Sequence, residues 1–462
     1  MNRVFAVFFI ILLMFSCAKI VTPSGGAKDN QPPTFVSSKP YLNAINFNGR
    51  EIEIEFNEYI VLENPINKVL ISPQIQPAPE IVSNLKSIYI KGLDSLKENT
   101  TYIIDFADAI KDYNEGNRLN GFSFAFSTGN HIDTLWYEGV VLDAFELKPI
   151  ANKYVLLYSF ADTTYIRTNP SDYLTKTDSN GVFRFHNLAP KQYKVIILDD
   201  KNQNKIYDLP NEGIGFSNTL VEPYLADSTV NTRLLKQRFY YTDFVEEKVN
   251  ENTSVLPKHA NDTIFKILKP QKDTVPYYNG NYQLTIKDSL LTNEFEALLV
   301  YQTDTNKVIF QKTNDSIYTL ATPLHTANKY EIIINKSTIT NIHQQSNAEY
   351  RHKFYYSSPE DYGTLFININ GEENTCKILY LYDIAGKLIQ EKSLSSQESK
   401  ARFDNLLEGV YKLKISIDEN CNNIWDKANF SSQIEAEKVL NFNKILQVKK
   451  SWEIEEEWNL SE

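Results

Sequence analysis

The chain is predicted to be all-β, a string of sandwiches, on three observations. Aromatic side chains make up 13% of its 462 residues, with 28 Tyr and 26 Phe against 2 Met, and such residues suit a pleated, half-buried surface. Short apolar–polar alternations recur between segments carrying Asn, Asp, Gly and Pro, as strands and turns require. A block of strand, turn, strand and loop also occurs twice. Arg184, Phe185, Asn187, Leu188, Tyr193, Lys194, Asp200, Asn202, Asn204, Ile206 and Asp208 return as Arg402, Phe403, Asn405, Leu406, Tyr411, Lys412, Asp418, Asn420, Asn422, Ile424 and Asp426. Every pair is 218 residues apart, the mark of an internal repeat. The length suggests roughly three to four modules. A net charge of -11 without a basic stripe argues against nucleic acid as a partner.

Residues 1–16 are expected to be a signal peptide: MNR, then the unbroken apolar run Val4 to Phe15, then Ser16 before Cys17. The run is too short to span a bilayer. Met14-Phe15-Ser16-Cys17 resembles a bacterial lipobox, which implies cleavage before Cys17 and acylation, palmitate among the chains, of that residue. Two or three acyl chains suffice for stable anchoring. The resemblance therefore implies a lipoprotein held in the outer membrane of a diderm bacterium. Residues 17–31, rich in Gly, Pro and Ser, should form a flexible tether of up to roughly 50 Å. No acidic cluster follows Cys17, and the expected face is periplasmic.

Residues 32–129 form the first module. In Glu51-Ile52-Glu53-Ile54-Glu55-Phe56, period two sends three apolar side chains to a core and three carboxylates to water. Similar runs stand at Lys86 to Ile90, Thr101 to Phe106 and Phe122 to Phe126, spaced as in a β-sandwich. PPTFVSSKP, IEIEFNEYIVLEN, LKENTTYIIDFADAIKDYNEGN and FSFAFSTG resemble the SbsA-type bacterial Ig-like domain, an extracytoplasmic module with no catalytic motif to carry over.

Residues 130–238 follow, with LWYEGVVLDA, YVLLYSF and SNGVFRFHNLAPKQYKVIILDD. They resemble the prealbumin-like β-sandwich of carboxypeptidase regulatory domains, with Pro190-Lys191-Gln192 where that pattern has Pro-Gly. Residues 239–262 lack a period and should link two halves. Residues 263–358 are expected to be a degenerate Ig-like copy, since Asn328 to Ile334 and Lys353-Phe354 resemble Thr100 to Phe106 and Phe124 to Phe126, with Tyr330 lying 228 residues after Tyr102. Residues 359–462 form the second prealbumin-like sandwich, and its tail WEIEEEWNL is expected to add a last strand.

Chemistry concentrates in the two Asp/Asn loops. Asp200, Asn202, Asn204, the Ile206 carbonyl and Asp208, with Asp418, Asn420, Asn422, Ile424 and Asp426, stand at positions 1, 3, 5, 7 and 9, the spacing of Ca²⁺ loops. Lys205 and Asn423 occupy the place of the turn glycine, and Asn211 and Asn429 that of the closing Glu. Any Ca²⁺ would be held weakly, and the same side chains make good metal-free turns. No other cofactor is expected. Tyr207 and Trp425 are expected to pack rather than bind. Cys376 and Cys421 are expected to remain unpaired. Asp-Ser or Asp-Thr triplets at Asp94, Asp133, Asp162, Asp227, Asp262, Asp273, Asp288 and Asp315 read as O-glycan acceptors or as turn ends.

The six His are scattered, and neither HExxH nor Gly-x-Ser-x-Gly occurs. The expectation is a non-enzymatic, membrane-anchored module that binds, spaces or scaffolds an envelope protein or glycan. The alternative is an accessory subunit or hydrolase for envelope polysaccharide with a Ca²⁺-stabilised glycan site.

Overall fold

A computed structural model of the chain describes residues 28–159, 162–225, 237–242, 264–265, 267–268 and 273–460. The signal run, Cys17, most of the tether and most of the linker lie outside the described residues. The chain falls into two compact units divided near residue 244, with Asp143–Leu147 counted in the second. Its regular secondary structure is almost entirely β, and the α-helices among the described residues are the short Pro65–Lys68 and Thr163–Thr168. Among the described residues there are four separate hydrophobic cores.

In the first unit, Ile52, Ile54 and Phe56 are all but inaccessible while their Glu neighbours face outward, as the alternation demands. The strand Glu51–Phe56 lies between Phe35–Lys39 and Ser87–Lys91, with Glu80–Asn84 at the edge. Against it pack Thr101–Asp105, flanked by Ser123–Ser127 and Leu70–Ser72. The shared core gathers Ile52, Ile54, Phe56, Ile88, Ile90, Tyr102, Phe124 and Phe126. Each such side chain contributes about 1.5–3 kcal/mol on burial.

The second core lies in a sheet ordered Tyr173–Lys176, Tyr154–Tyr158, Lys194–Asp199, Gly213–Phe216, Gln237–Thr242, Leu135–Asp143 and Val182–Leu188. Gln237–Thr242 thus continues the sheet past residue 238. Tyr154–Tyr158 is buried along its whole length and Val195–Leu198 is wholly inaccessible, which is why these strands read as apolar runs and not as alternations. Gly213 is required by close packing, since a Cβ there would stand 2.0 Å from the Tyr241 hydroxyl.

The two sandwiches of this unit are fused. Ser72 Oγ accepts from the Leu174 N–H at 3.0 Å and donates to the Leu174 carbonyl at 3.4 Å. Lys176 Nζ donates to the Asn67 carbonyl at 3.3 Å. Ile103, from the first sandwich, enters the core of the second.

In the second unit, the third core is enclosed chiefly by Gln283–Ile286, Glu294–Tyr301, Asp304–Lys312, Ile317–Leu320, Asn328–Ile334 and Tyr350–Tyr356. A tyrosine corner recurs here. The Lys97 N–H donates to Tyr102 Oη at 2.7 Å, and the His325 N–H donates to Tyr330 Oη at 3.0 Å. Tyr102 stacks on Phe126 at 5.4 Å, and Tyr330 stacks on Phe354 at 5.8 Å. One offset, 228, relates all three pairs of residues.

The fourth core lies between two sheets. One is Lys400–Leu407, Tyr362–Asn370 and Glu453–Asn459; the other is Leu388–Leu394, Cys376–Asp383, Gly409–Asp418 and Val439–Asn441, with Leu446–Val448 alongside Gly409–Asp418. The tail does add a strand, parallel to Tyr362–Asn370, and Trp458 packs 5.0 Å from Phe442.

Candidate functional site

Each Asp/Asn loop leaves a deeply buried strand, Lys194–Asp199 in the first copy and Gly409–Asp418 in the second. The backbone turns through left-handed residues at matching places. Gln203 and Lys205 have φ of 64° and 62°, and Cys421 and Asn423 have 58° and 64°. The sharp turn is therefore made without the glycine that such loops usually use, because local hydrogen bonds hold it. Asp200 accepts from the N–H groups of Gln203 and Lys205, and Asp418 from those of Asn422 and Asn423. Asn202 Oδ1 accepts from the Asn204 N–H and Asn204 Oδ1 from the Ile206 N–H, and Asn420 and Asn422 repeat this.

The side chains of the expected metal set come together in both loops. Asn202 and Asn204 donate their amides to Asp208 at 3.0 and 2.7 Å. Asn420 and Asn422 donate theirs to Asp426 at 2.6 and 2.8 Å. The groups pointing at Asp208 and Asp426 are thus N–H donors, where a hard cation needs oxygens. Among the described residues no group of three His, Cys, Asp or Glu is placed to hold a metal. Hydrogen bonds from the amides thus span both loops.

One further residue completes each loop. Glu212, 3% exposed, accepts from the Lys201, Asp208 and Leu209 N–H groups at 3.1 Å. Glu437, 7% exposed, accepts from the Glu419 and Asp426 N–H groups at 3.0 Å. Both carboxylates tie the start of the loop to its end. Burial, aided by Asp418 and Asp426, holds the Glu437 carboxyl above the usual range against the pull of its two backbone donors. Glu437 escapes notice in the sequence because it follows Asp426 by eleven residues, whereas Glu212 follows Asp208 by four.

The aromatic residues of the loops are engaged. The Arg167 guanidinium lies 4.8 Å over the Tyr207 ring, and Trp425 Nε1 donates to the Glu437 carbonyl at 3.0 Å. The expectation of unpaired cysteines is corrected: Cys376 and Cys421 form a disulfide, with Cα atoms 5.3 Å apart. The cause is strand register. Cys376 stands opposite Asp418, which brings it within reach of the loop only three residues on, and a count of two cysteines does not reveal register. Gln203 stands at the place of Cys421 in the first copy.

Elsewhere, His352 is buried in the third core, its Nδ1 2.6 Å from Tyr282 Oη and its Nε2 3.2 Å from Asp273 Oδ1. Tyr282 is wholly inaccessible, so this chain of groups braces the core. On the first sandwich, Lys68, Lys111 and Arg118 surround Glu63 at 2.7, 3.1 and 2.6 Å. Their hydrogen bonds, that of Lys68 foremost, hold its carboxyl down at about 2.

Beside the first loop lies a cleft of about 320 Å³, bounded by Pro65–Ile81 on the first sandwich and by Leu174 and Gln203–Lys205 on the second. Ile66, Val69, Ile71, Ile75, Ile81 and Leu174 give it apolar walls.

A family model described as a bacterial Ig-like domain matches residues 29–128. A second, described as a secretion system C-terminal sorting domain, matches residues 361–426. No curated protein matches the chain. Among solved structures, the Bacillus anthracis TIE protein is 12% identical over 98% of this chain and 78% of that one, with a TM-score of 0.16. The BSP domain of a biofilm associated protein is 9% identical over 87% and 97%, with a TM-score of 0.17. BcpA, the major pilin subunit of Bacillus cereus, is 11% identical over 71% and 99%, with a TM-score of 0.18. Scores so low carry no argument. The chain is a tandem β-sandwich protein with a bacterial Ig-like domain, and its sorting-type segment marks it as secreted or at the cell surface. Among the described residues no helix is long and apolar enough to cross a membrane.

Proposed function

We propose that the protein is a non-enzymatic lipoprotein of the outer membrane, anchored through acylated Cys17, whose sandwiches bind, space or scaffold other components of the envelope. The observation that carries this reading is that, among the described residues, the buried or clustered carboxylates Glu63, Glu212 and Glu437 and the buried His352 are engaged in holding the fold. Glu63 sits in an ion cluster, Glu212 and Glu437 close loops, and His352 braces a core. Such modules take partners at sheet edges and loop ends. The lipobox-like Met14–Cys17 supports the anchor.

The sorting-type segment favours the outer face of the membrane over the periplasmic face expected from the tether. A stretch at the same offset in the first copy, residues 143–208, has the same loop geometry in mid-chain. The segment therefore also supplies most of the strands of the fourth sandwich. For the polysaccharide reading, Tyr207 and Trp425 are the aromatic residues at the loops, and both already contact other groups of the chain.

Radiolabelled palmitate, membrane fractionation and protease shaving of intact cells test the proposal on the wild type and on Cys17→Ser. The expected outcome is a labelled, membrane-bound, shaving-sensitive wild type and an unlabelled variant released into the soluble fraction. A wild type that takes no label and fractionates like the variant would refute the anchor, and protection from shaving would refute the outer face.

A further inference from the structure

We infer that the cleft between the first two sandwiches is a binding site for an aliphatic monocarboxylate of medium chain length. One unmet cation at the cleft points to the head of the ligand. Lys205 lines the cleft, half-buried, and its ammonium makes no hydrogen bond or ion pair among the described residues. Its backbone N–H alone is engaged, on Asp200.

The surrounding charges agree. The neighbouring carboxylates Asp200 and Asp108 are already bonded. Asp200 holds two backbone N–H groups, and Asp108 holds Lys68 and Arg118. An added anion would give the Lys205 ammonium the partner it lacks.

The walls define the rest of the ligand. Four Ile, one Val and one Leu ask for an aliphatic body, whose transfer from water is favourable. A volume of about 320 Å³ lies at the small end of ligand sites and takes about ten water-sized groups, which fits octanoate or decanoate. A peptide terminus is disfavoured because it brings backbone N–H donors, and the unmet group here is itself a donor. The inference is independent of whether Cys17 carries lipid.

Isothermal titration of the full-length Cys17→Ser chain with decanoate, decylamine and an acetylated peptide ending in Leu provides the test. Decanoate is expected to bind and decylamine to fail. Lys205→Asn, which preserves the turn because Asn423 makes it in the second copy, should weaken decanoate at least tenfold, and Lys205→Arg should restore most of the affinity. Decanoate that does not bind, decylamine that binds as well, undiminished binding by Lys205→Asn, or a preference for the peptide would each overturn the assignment.

Discussion

Glu63 illustrates how single side chains here work through partners that the sequence does not place. Its three cations lie 5, 48 and 55 positions along the chain, and only folding assembles them. Because its folded pKa is depressed, its contribution to stability is complete above the ordinary carboxyl range and is lost as pH falls toward about 2. Glu63→Gln should therefore be less stable than the wild type at pH 7 and indistinguishable from it below pH 2, as urea unfolding across that range would reveal. A gap that persists at the acid end would mean that Glu63 acts through packing. Glu437 titrates in the opposite sense, since its raised pKa makes its charged form a burden as pH rises through the folded value. Local residue chemistry was easier to read. Asp162, part of an Asp-Thr triplet, accepts from the Thr164 and Tyr165 N–H groups and caps a helix, which is the turn-end role that Asp takes.

At the scale of elements, the period-two strands and the repeated loops were legible because both are local patterns. The constant offset of 218 extends to left-handed backbone at Asn187 and Asn405 and to the hydrogen bonds of both loops. Hidden from the sequence was whatever depended on insertions or pairing. Seven extra residues concealed Glu437, and strand register concealed the disulfide. Glu437→Ala leaves the Glu419 and Asp426 N–H groups without their acceptor, and should cost about 1–3 kcal/mol. Guanidinium unfolding would measure it, and a change below a few tenths would remove the carboxylate from its fastening role. Added Ca²⁺ gives a second measurement on the same protein. A millimolar site filled at 5 mM would contribute about 1 kcal/mol, so a larger stabilisation would contradict weak binding by these loops.

For the molecule as a whole, four cores on one chain predict unfolding that is not two-state. Calorimetry of the full-length chain should resolve more than one transition. The Cys376–Cys421 bond closes a 45-residue separation inside the fourth core's sandwich, worth about 4 kcal/mol on a chain-entropy account. Reductant should therefore lower one transition and leave the others in place, and a uniform shift would show that the modules do not melt separately. The fused sandwiches of the first unit have a different consequence. Leu70–Ser72 ends one sheet, Tyr173–Lys176 ends another, and the Ser72–Leu174 bonds set these two borders side by side. Unclaimed main-chain groups at a border are what recruit stray strands into fibrils. Each border here screens the other, so the joint between the sandwiches also guards a crowded, aromatic-rich chain against amyloid-like stacking.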